Sequence, residues 1–309
     1  MPPVTASSDR PLPVILDTDL GDDIDDTWAL AMLLRSPELD PRLIVTTFRD
    51  TQARAQIVGK LLQIAGRADI PIGVGIPTAD APLPPQAPWA ADYDLASYPG
   101  PVHADGVGAL IDAIMNAPEP ITLIAIGPLT NIAAALAREP RIAERCARFI
   151  GMHGSLRRGY DGGPQPVAEW NVVSALQACQ RVFAAPWEIT ITPLDTCGLV
   201  RLRGEKYQAV RRCSDPLIQA LMENYAVWAD HHGQREAVAE RSSVLFDTVA
   251  IYLALAEDWV EMETLGVRVT DDGYTRIDEA ARRVRCATAW RDLSAFEDSL
   301  VQRLTSRCL

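Results

Sequence analysis

The chain is short of positive charge. Its 29 lysines and arginines face 41 aspartates and glutamates, giving a formal net charge of −12. Nucleic-acid binding draws on a basic stripe that contacts phosphates, so the balance argues against that class, and equally against an anionic membrane surface. No C-x-x-C pair occurs among Cys146, Cys179, Cys197, Cys213, Cys286 and Cys308. Cysteines scattered in this way predict reduced thiols, neither a disulfide framework nor a zinc site. No apolar run reaches the roughly 18 residues of a membrane span, and residues 1–10 lack the apolar core of a secretory signal. The expected setting is soluble and cytoplasmic. Without an internal repeat or a linker, the 309 residues predict one domain over 14–309 behind a loose N-terminal arm, 1–13, that holds four prolines.

What is present reads as a regular alternation. With 48% hydrophobic and 23% charged residues the chain can bury a sizeable core. Short apolar strands at 14–16, 43–48, 70–74, 121–126 and 188–193 each end in a polar tip, and most lead into a helical stretch. The order strand, tip, helix predicts an α/β fold, an open, mostly parallel (mixed) sheet flanked by helices. Further amphipathic stretches predict helices over 205–230 and 293–305. Residues 77–101 break the pattern. They are proline-rich and carry Trp89, Tyr93 and Tyr98, and a segment this long is either a functional loop or lid or a plain surface loop.

The most informative stretch is 14–34. The apolar run Val14, Ile15, Leu16 is followed by Asp17, Asp19, Asp22, Asp23, Asp25 and Asp26, with Gly21 among them, and then by an apolar helix over 27–34. Six carboxylates within ten residues repel one another. A helix N-terminus offers only about half a positive charge, so the cluster asks for a hard divalent cation with oxygen ligands, and Ca²⁺ tolerates such crowding better than Mg²⁺. The alternative is a solvated acidic loop that caps a helix. Against it stands position: in open α/β sheets ligands gather at the carboxyl ends of the strands. Asp50, Thr130 with Asn131, Met152 and Asp195 fall at further strand ends. Asp247 stands alone at an apolar helix start, where it is either an N-cap or a site residue. Glu169 and Asn171 flank Trp170, which either packs in the core or offers a platform for a flat ligand.

These residues resemble a known family. Asp17-Thr-Asp19-x-Gly21 with Asp25-Asp26 and an apolar helix is similar to the signature of the inosine–uridine preferring nucleoside hydrolases. The segments over 46–50, 126–133 and 166–171, and Phe246-Asp247, resemble later blocks of that family in the same order. The resemblance implies hydrolysis of the N-glycosidic bond of ribonucleosides to free base and ribose, with one Ca²⁺ per site. It implies that Asp19, Asp26 and Asp247 bind the metal through side chains and Thr130 through its carbonyl, and that Asp19 is the general base. Asp25, Asp50, Met152, Glu169, Trp170, Asn171 and Phe246 are implied on the nucleoside. A homodimer or homotetramer follows from the same likeness.

Departures from the pattern are specific. Two extra residues separate Gly21 from Asp25-Asp26, so Asp22 and Asp23 have no assigned role. Asp50 and Gly163 stand where the family often has Asn. Phe246 replaces a His placed near the leaving base, and Phe donates no proton. Either the leaving group needs less help, or the base differs from common purines, or another acid serves, from among His103, His153, His231, His232, Tyr160 and Tyr225. Two rival functions remain: a calcium-dependent nucleoside- or ribose-binding protein without turnover, and a haloacid dehalogenase-type phosphatase, which also begins with a strand and D-x-D.

Overall fold

The computed structural model describes residues 10–79 and 81–308. Ten strands form one sheet: β1 (Leu12–Thr18), β2 (Leu39–Thr46), β3 (Ile72–Val74), β4 (Val102–His103), β5 (Thr122–Ala125), β6 (Arg148–Gly151), β7 (Ile189–Ile191), β8 (Val260–Val269), β9 (Thr275–Ile277) and β10 (Arg283–Trp290). Their spatial order is β4-β3-β2-β1-β5-β6-β7-β10-β8-β9. Every pair from β4 to β10 is parallel, and β8 and β9 extend the sheet antiparallel. This is the mixed, mostly parallel α/β architecture read from the alternation.

Helices cover both faces: α1 (Asp25–Leu34), α2 (Thr51–Ile64), α3 (Gly106–Met115), α4 (Thr130–Arg138), α5 (Ile142–Arg145), α6 (Trp170–Ser174), α7 (Leu176–Ala184), α8 (Gly204–Arg211), α9 (Pro216–His231), α10 (Thr248–Leu255) and α11 (Leu293–Leu304). The two-residue period of β1 divides the core. Val14 and Leu16 join the cluster built by α1, α2, α9, α10 and α11, whereas Ile15 joins that of α3, α4 and α7. A strand buried on both faces has no polar side to show, which is why 14–16 reads as a continuous apolar run.

Three expectations change. Of the arm over 1–13, residues 1–9 lie outside the described residues, and Leu12 and Pro13 already belong to β1. Pairing of β1 with β5 starts at Val14, so the N–H that Pro13 lacks is not needed on that side. The helix over 205–230 is two helices, divided where Asp215 caps α9 and Pro216 opens it. Cys213 and Cys308 are joined in a disulfide with a Cα–Cα distance of 5.2 Å, while Cys146, Cys179, Cys197 and Cys286 are free and buried. The bonded pair lies 95 residues apart, a separation that spacing rules cannot read. The proline-rich segment over 77–101 is packed at its described residues. It forms two 3-10 turns, Ala87–Ala90 and Leu95–Ser97, and buries Gln86, Trp89, Leu95 and Tyr98. Among the described residues no helix is long and apolar enough to cross a membrane.

Candidate active site

The acidic loop is held from beneath by a cation that sequence reasoning missed. Arg54, on α2, is fully buried. Its Nε donates to the Phe48 carbonyl at 2.8 Å, and its other nitrogens donate to the carbonyls of Asp19 and Leu20 and to Asp22 Oδ2 at 2.9 Å. Arg49 donates to the same Asp22 oxygen at 2.9 Å. Asp22 thus anchors the extra residues of the loop. Gln86 secures the loop from the outside: its Nε2 donates to the Asp23 carbonyl at 2.5 Å, and its Oε1 accepts from Thr27 and Asn224. Gly21 turns the chain at φ +124°, where a Cβ would also press on Pro84 at 3.0 Å. Thr18 at the end of β1 donates to Asp26 Oδ1 at 2.5 Å and fixes that carboxylate.

Above this loop lies a cavity of about 410 Å³ at the carboxyl edge of the sheet. Asp19, Asp22, Asp23, Asp25, Asp26, Met152, Glu169, Trp170, Asn171, Phe246 and Asp247 all line it. One carboxylate oxygen from each of Asp25, Asp26 and Asp247 falls within 4.8 Å of the others, and all three residues are buried. The backbone N–H of Asp247 also donates to Asp25 Oδ2 at 3.2 Å, joining the late block to the first. Burial pushes the pKa of each of the three well above the usual carboxylate range, and repulsion from neighbouring carboxylates adds to it. Asp19 rises to about 7, mainly by burial, against the pull of Arg54. A buried cluster of carboxylate oxygens is chemically suited to a hard divalent cation, which binds them deprotonated.

Two residues of the cavity wall are tied to Asn171 through their main-chain oxygens. Asn171 Nδ2 donates to the carbonyls of Ile126 at 2.9 Å and Met152 at 3.1 Å. Glu169 caps α6: its carboxylate accepts from the N–H groups of Gly154, Asn171 and Val172, and burial still lifts it to about 7. Trp170 is 47% exposed at the rim, with the Arg49 guanidinium 5.6 Å from its ring centre.

Two predicted site residues are elsewhere. Asp50 is the N-cap of α2, its side chain accepting from Ala53 N at 2.9 Å, and does not line the cavity; its neighbour Arg49 does. Thr130 opens α4, and its hydroxyl lies 2.8 Å from that of Thr47. The residue of that block that lines the cavity is Ile126, four residues earlier and just past the end of β5. Thr130 lies five residues past the end of β5 and already belongs to α4, so it sits on the helix and not at the sheet edge. Asp17 and Asp195 are buried structural groups. Asp17 accepts from Asn131 at 2.8 Å and rises to about 8 through burial, and Asp195 accepts the N–H groups of Leu156 and Arg157.

The candidates to replace the missing histidine also separate. His103 is exposed on β4, and His153 is buried with Nε2 on the Gly127 carbonyl, its pKa lowered to about 4 by burial. Tyr225 donates to the Arg241 carbonyl, and His231 is off the cavity. Only Tyr160 and His232 of that set line it. Residues not anticipated there are Arg49, Pro85, Ile126 and Trp228. Trp228 had a signal, since it lies four residues before His232 and shares its helix face.

Fold and site together define a class: a parallel α/β protein with a buried carboxylate cavity, suited to a cation, at the carboxyl edge of its sheet. The chain belongs to the inosine-uridine preferring nucleoside hydrolase family, whose model matches residues 14–296. It is 36% identical over 193 residues to the non-specific ribonucleoside hydrolase RihC of Escherichia coli (strain SMS-3-5 / SECEC), covering 60% of this chain and 62% of that protein. It is 34% identical over 226 residues to RihC of Salmonella agona, covering 69% and 72%. The match therefore spans about three fifths of the first relative's length. Among solved structures it is similar to a plant nucleoside hydrolase, PpNRh1, with a TM-score of 0.82 and 25% identity over 96% of this chain and 99% of that one. The inosine-uridine preferring nucleoside hydrolase from Bacillus anthracis, at 20% identity and a TM-score of 0.74 over 96% and 99%, shares the fold.

Proposed function

We propose that the protein hydrolyses the N-glycosidic bond of ribonucleosides, releasing free base and ribose, with Ca²⁺ held by Asp26, Asp247 and Asp19, Asp25 beside them, and the Ile126 carbonyl. The observation that carries this reading is the convergence of Asp25, Asp26 and Asp247 in one buried cavity with Asp19 on its wall. A cation held there would supply positive charge that acidifies water and favours an oxygen-rich sugar. Asp19, on the cavity wall, accepts a proton from the attacking water. Asp25 and Asn171 orient the ribose hydroxyls, and Glu169, fixed by its three N–H donors, borders the 5′ side. The carboxylates stabilise the positive charge that grows on the sugar ring in an oxocarbenium-like transition state. Trp170 offers an apolar face at the rim.

The test is a nucleoside panel assayed by release of reducing sugar, with calcium present and with chelator. Ribose released only with calcium supports the reading. Calcium-dependent nucleoside binding without ribose release would favour a binding module, for which Phe246 is the main argument. The homodimer or homotetramer suggested by the resemblance is read separately by sedimentation equilibrium.

A further inference from the structure

Nucleobase anions are poor leaving groups, and Phe246 has no proton to offer. We propose that His232, at the carboxyl end of α9, donates the proton to the departing base. This rests on the hydrolase reading above.

The choice follows from the groups around the cavity. Arg49 is engaged with Asp22 and its guanidinium does not give up a proton. Glu169 uses both carboxylate oxygens to accept main-chain N–H groups. Tyr160 stands edge-on to Phe246 with ring centres 6.0 Å apart. Its hydroxyl accepts from the Trp170 N–H at 2.9 Å, and burial makes the phenol an even weaker acid than usual. His232 differs on each count. It is exposed at the mouth, so solvent can recharge it, and imidazole is the side chain that exchanges protons nearest neutral pH.

The ring is also held. Nδ1 lies 2.8 Å from the Trp228 carbonyl, one turn earlier, and the two rings pack with centres 4.5 Å apart at 34°. A carbonyl oxygen only accepts, so Nδ1 carries the hydrogen and Nε2 is the nitrogen that gains and loses the second proton. In the step, the C1′–N bond breaks and its electron pair moves into the base. The Nε2 proton passes to the base, the hydroxide of the attacking water joins C1′, and the water's other proton goes to Asp19. Neutral base and ribose leave, and solvent restores both residues.

The experiment compares His232→Gln with the parent protein on inosine and uridine and on p-nitrophenyl riboside, whose phenolate leaves without protonation. The expected result is a kcat lower by about 100-fold on both nucleosides and unchanged within about twofold on the p-nitrophenyl substrate, with the same far-ultraviolet dichroism. Equal losses on all three substrates would make His232 a binding or structural residue and overturn the proposal, as would no loss on any. Tyr160→Phe is run beside it: a nucleoside-selective loss there, absent in His232→Gln, moves the role to Tyr160 and also overturns it. A parent protein that releases ribose from no substrate would instead remove the hydrolase reading itself.

Discussion

The surface and the cavity hold the same kind of side chain under opposite conditions. On the surface, Glu263 faces the Arg157 guanidinium and is drawn down to about 2, chiefly by that hydrogen bond. In the cavity, Asp25, Asp26 and Asp247 have no such partner and are pushed well above the carboxylate range by burial. Arg54, the nearest buried cation, is occupied with Asp22 and with main-chain carbonyls. Pairing stabilises charge at the surface, whereas burial in the cavity disfavours it. The contrast separates carboxylates that serve the fold from carboxylates that burden it.

The largest test of that contrast is replacement of a cavity carboxylate. Asp247→Ala is expected to lower kcat by at least about 1000-fold, since it removes a proposed metal ligand, while metal-free Asp247→Asn melts at a higher temperature than the parent at pH 8. Differential scanning calorimetry reads the second effect, and a lower melting point would break the comparison.

Next is the buried cation. Arg54→Met leaves three carbonyls without their donor and Asp22 with Arg49 alone, and is expected to cost about 3–5 kcal/mol in urea unfolding. A cost under about 1 kcal/mol would show that the acidic loop does not depend on it.

The pH dependence of the metal-free protein comes third. Asp17 titrates at about 8, and Asp19 and Glu169 at about 7, all far above their unfolded values. Between those values the native state binds more protons than the unfolded chain, so stability must fall as pH rises from about 4 to about 8. His153, lowered to about 4, works the other way between about 4 and 6.5. The net decline is therefore expected to be steepest between about 5 and 7 and to ease above that, once Asp19 and Glu169 have released their protons, and calcium should flatten it. Melting curves from pH 5 to 8.5 with and without calcium check this, and a metal-free stability that rises over that interval contradicts it. The smallest effect is at the surface: Glu263→Gln should change stability by at most about 1 kcal/mol.

Much of this was legible because β1 is buried on both faces and the acidic run follows it directly. An apolar strand, a dense run of Asp and an apolar helix state their own order, and Gly21 marks the turn. Glu169, Asn171 and Asp247 were legible only through the likeness of whole blocks, since each alone reads as a cap. Arg54 was not legible, because an arginine on a helix reads as surface until tertiary packing buries it. The disulfide and the role of Gln86 depend on contacts between distant segments that no local pattern encodes. Thr130 and Asp50 were misplaced for a smaller reason: both lie just past the strand end, where one helical turn separates the cavity from the helix.

The central claim is that the buried carboxylates converge to hold one divalent cation. Its most direct test is isothermal titration of calcium into metal-stripped protein near pH 7.5 in buffers of different ionisation enthalpy. The account predicts one ion per chain, a heat that varies with buffer because protons leave the carboxylates on binding, and loss of the binding in Asp247→Asn. Absence of binding, or binding that survives that substitution without proton release, would contradict it.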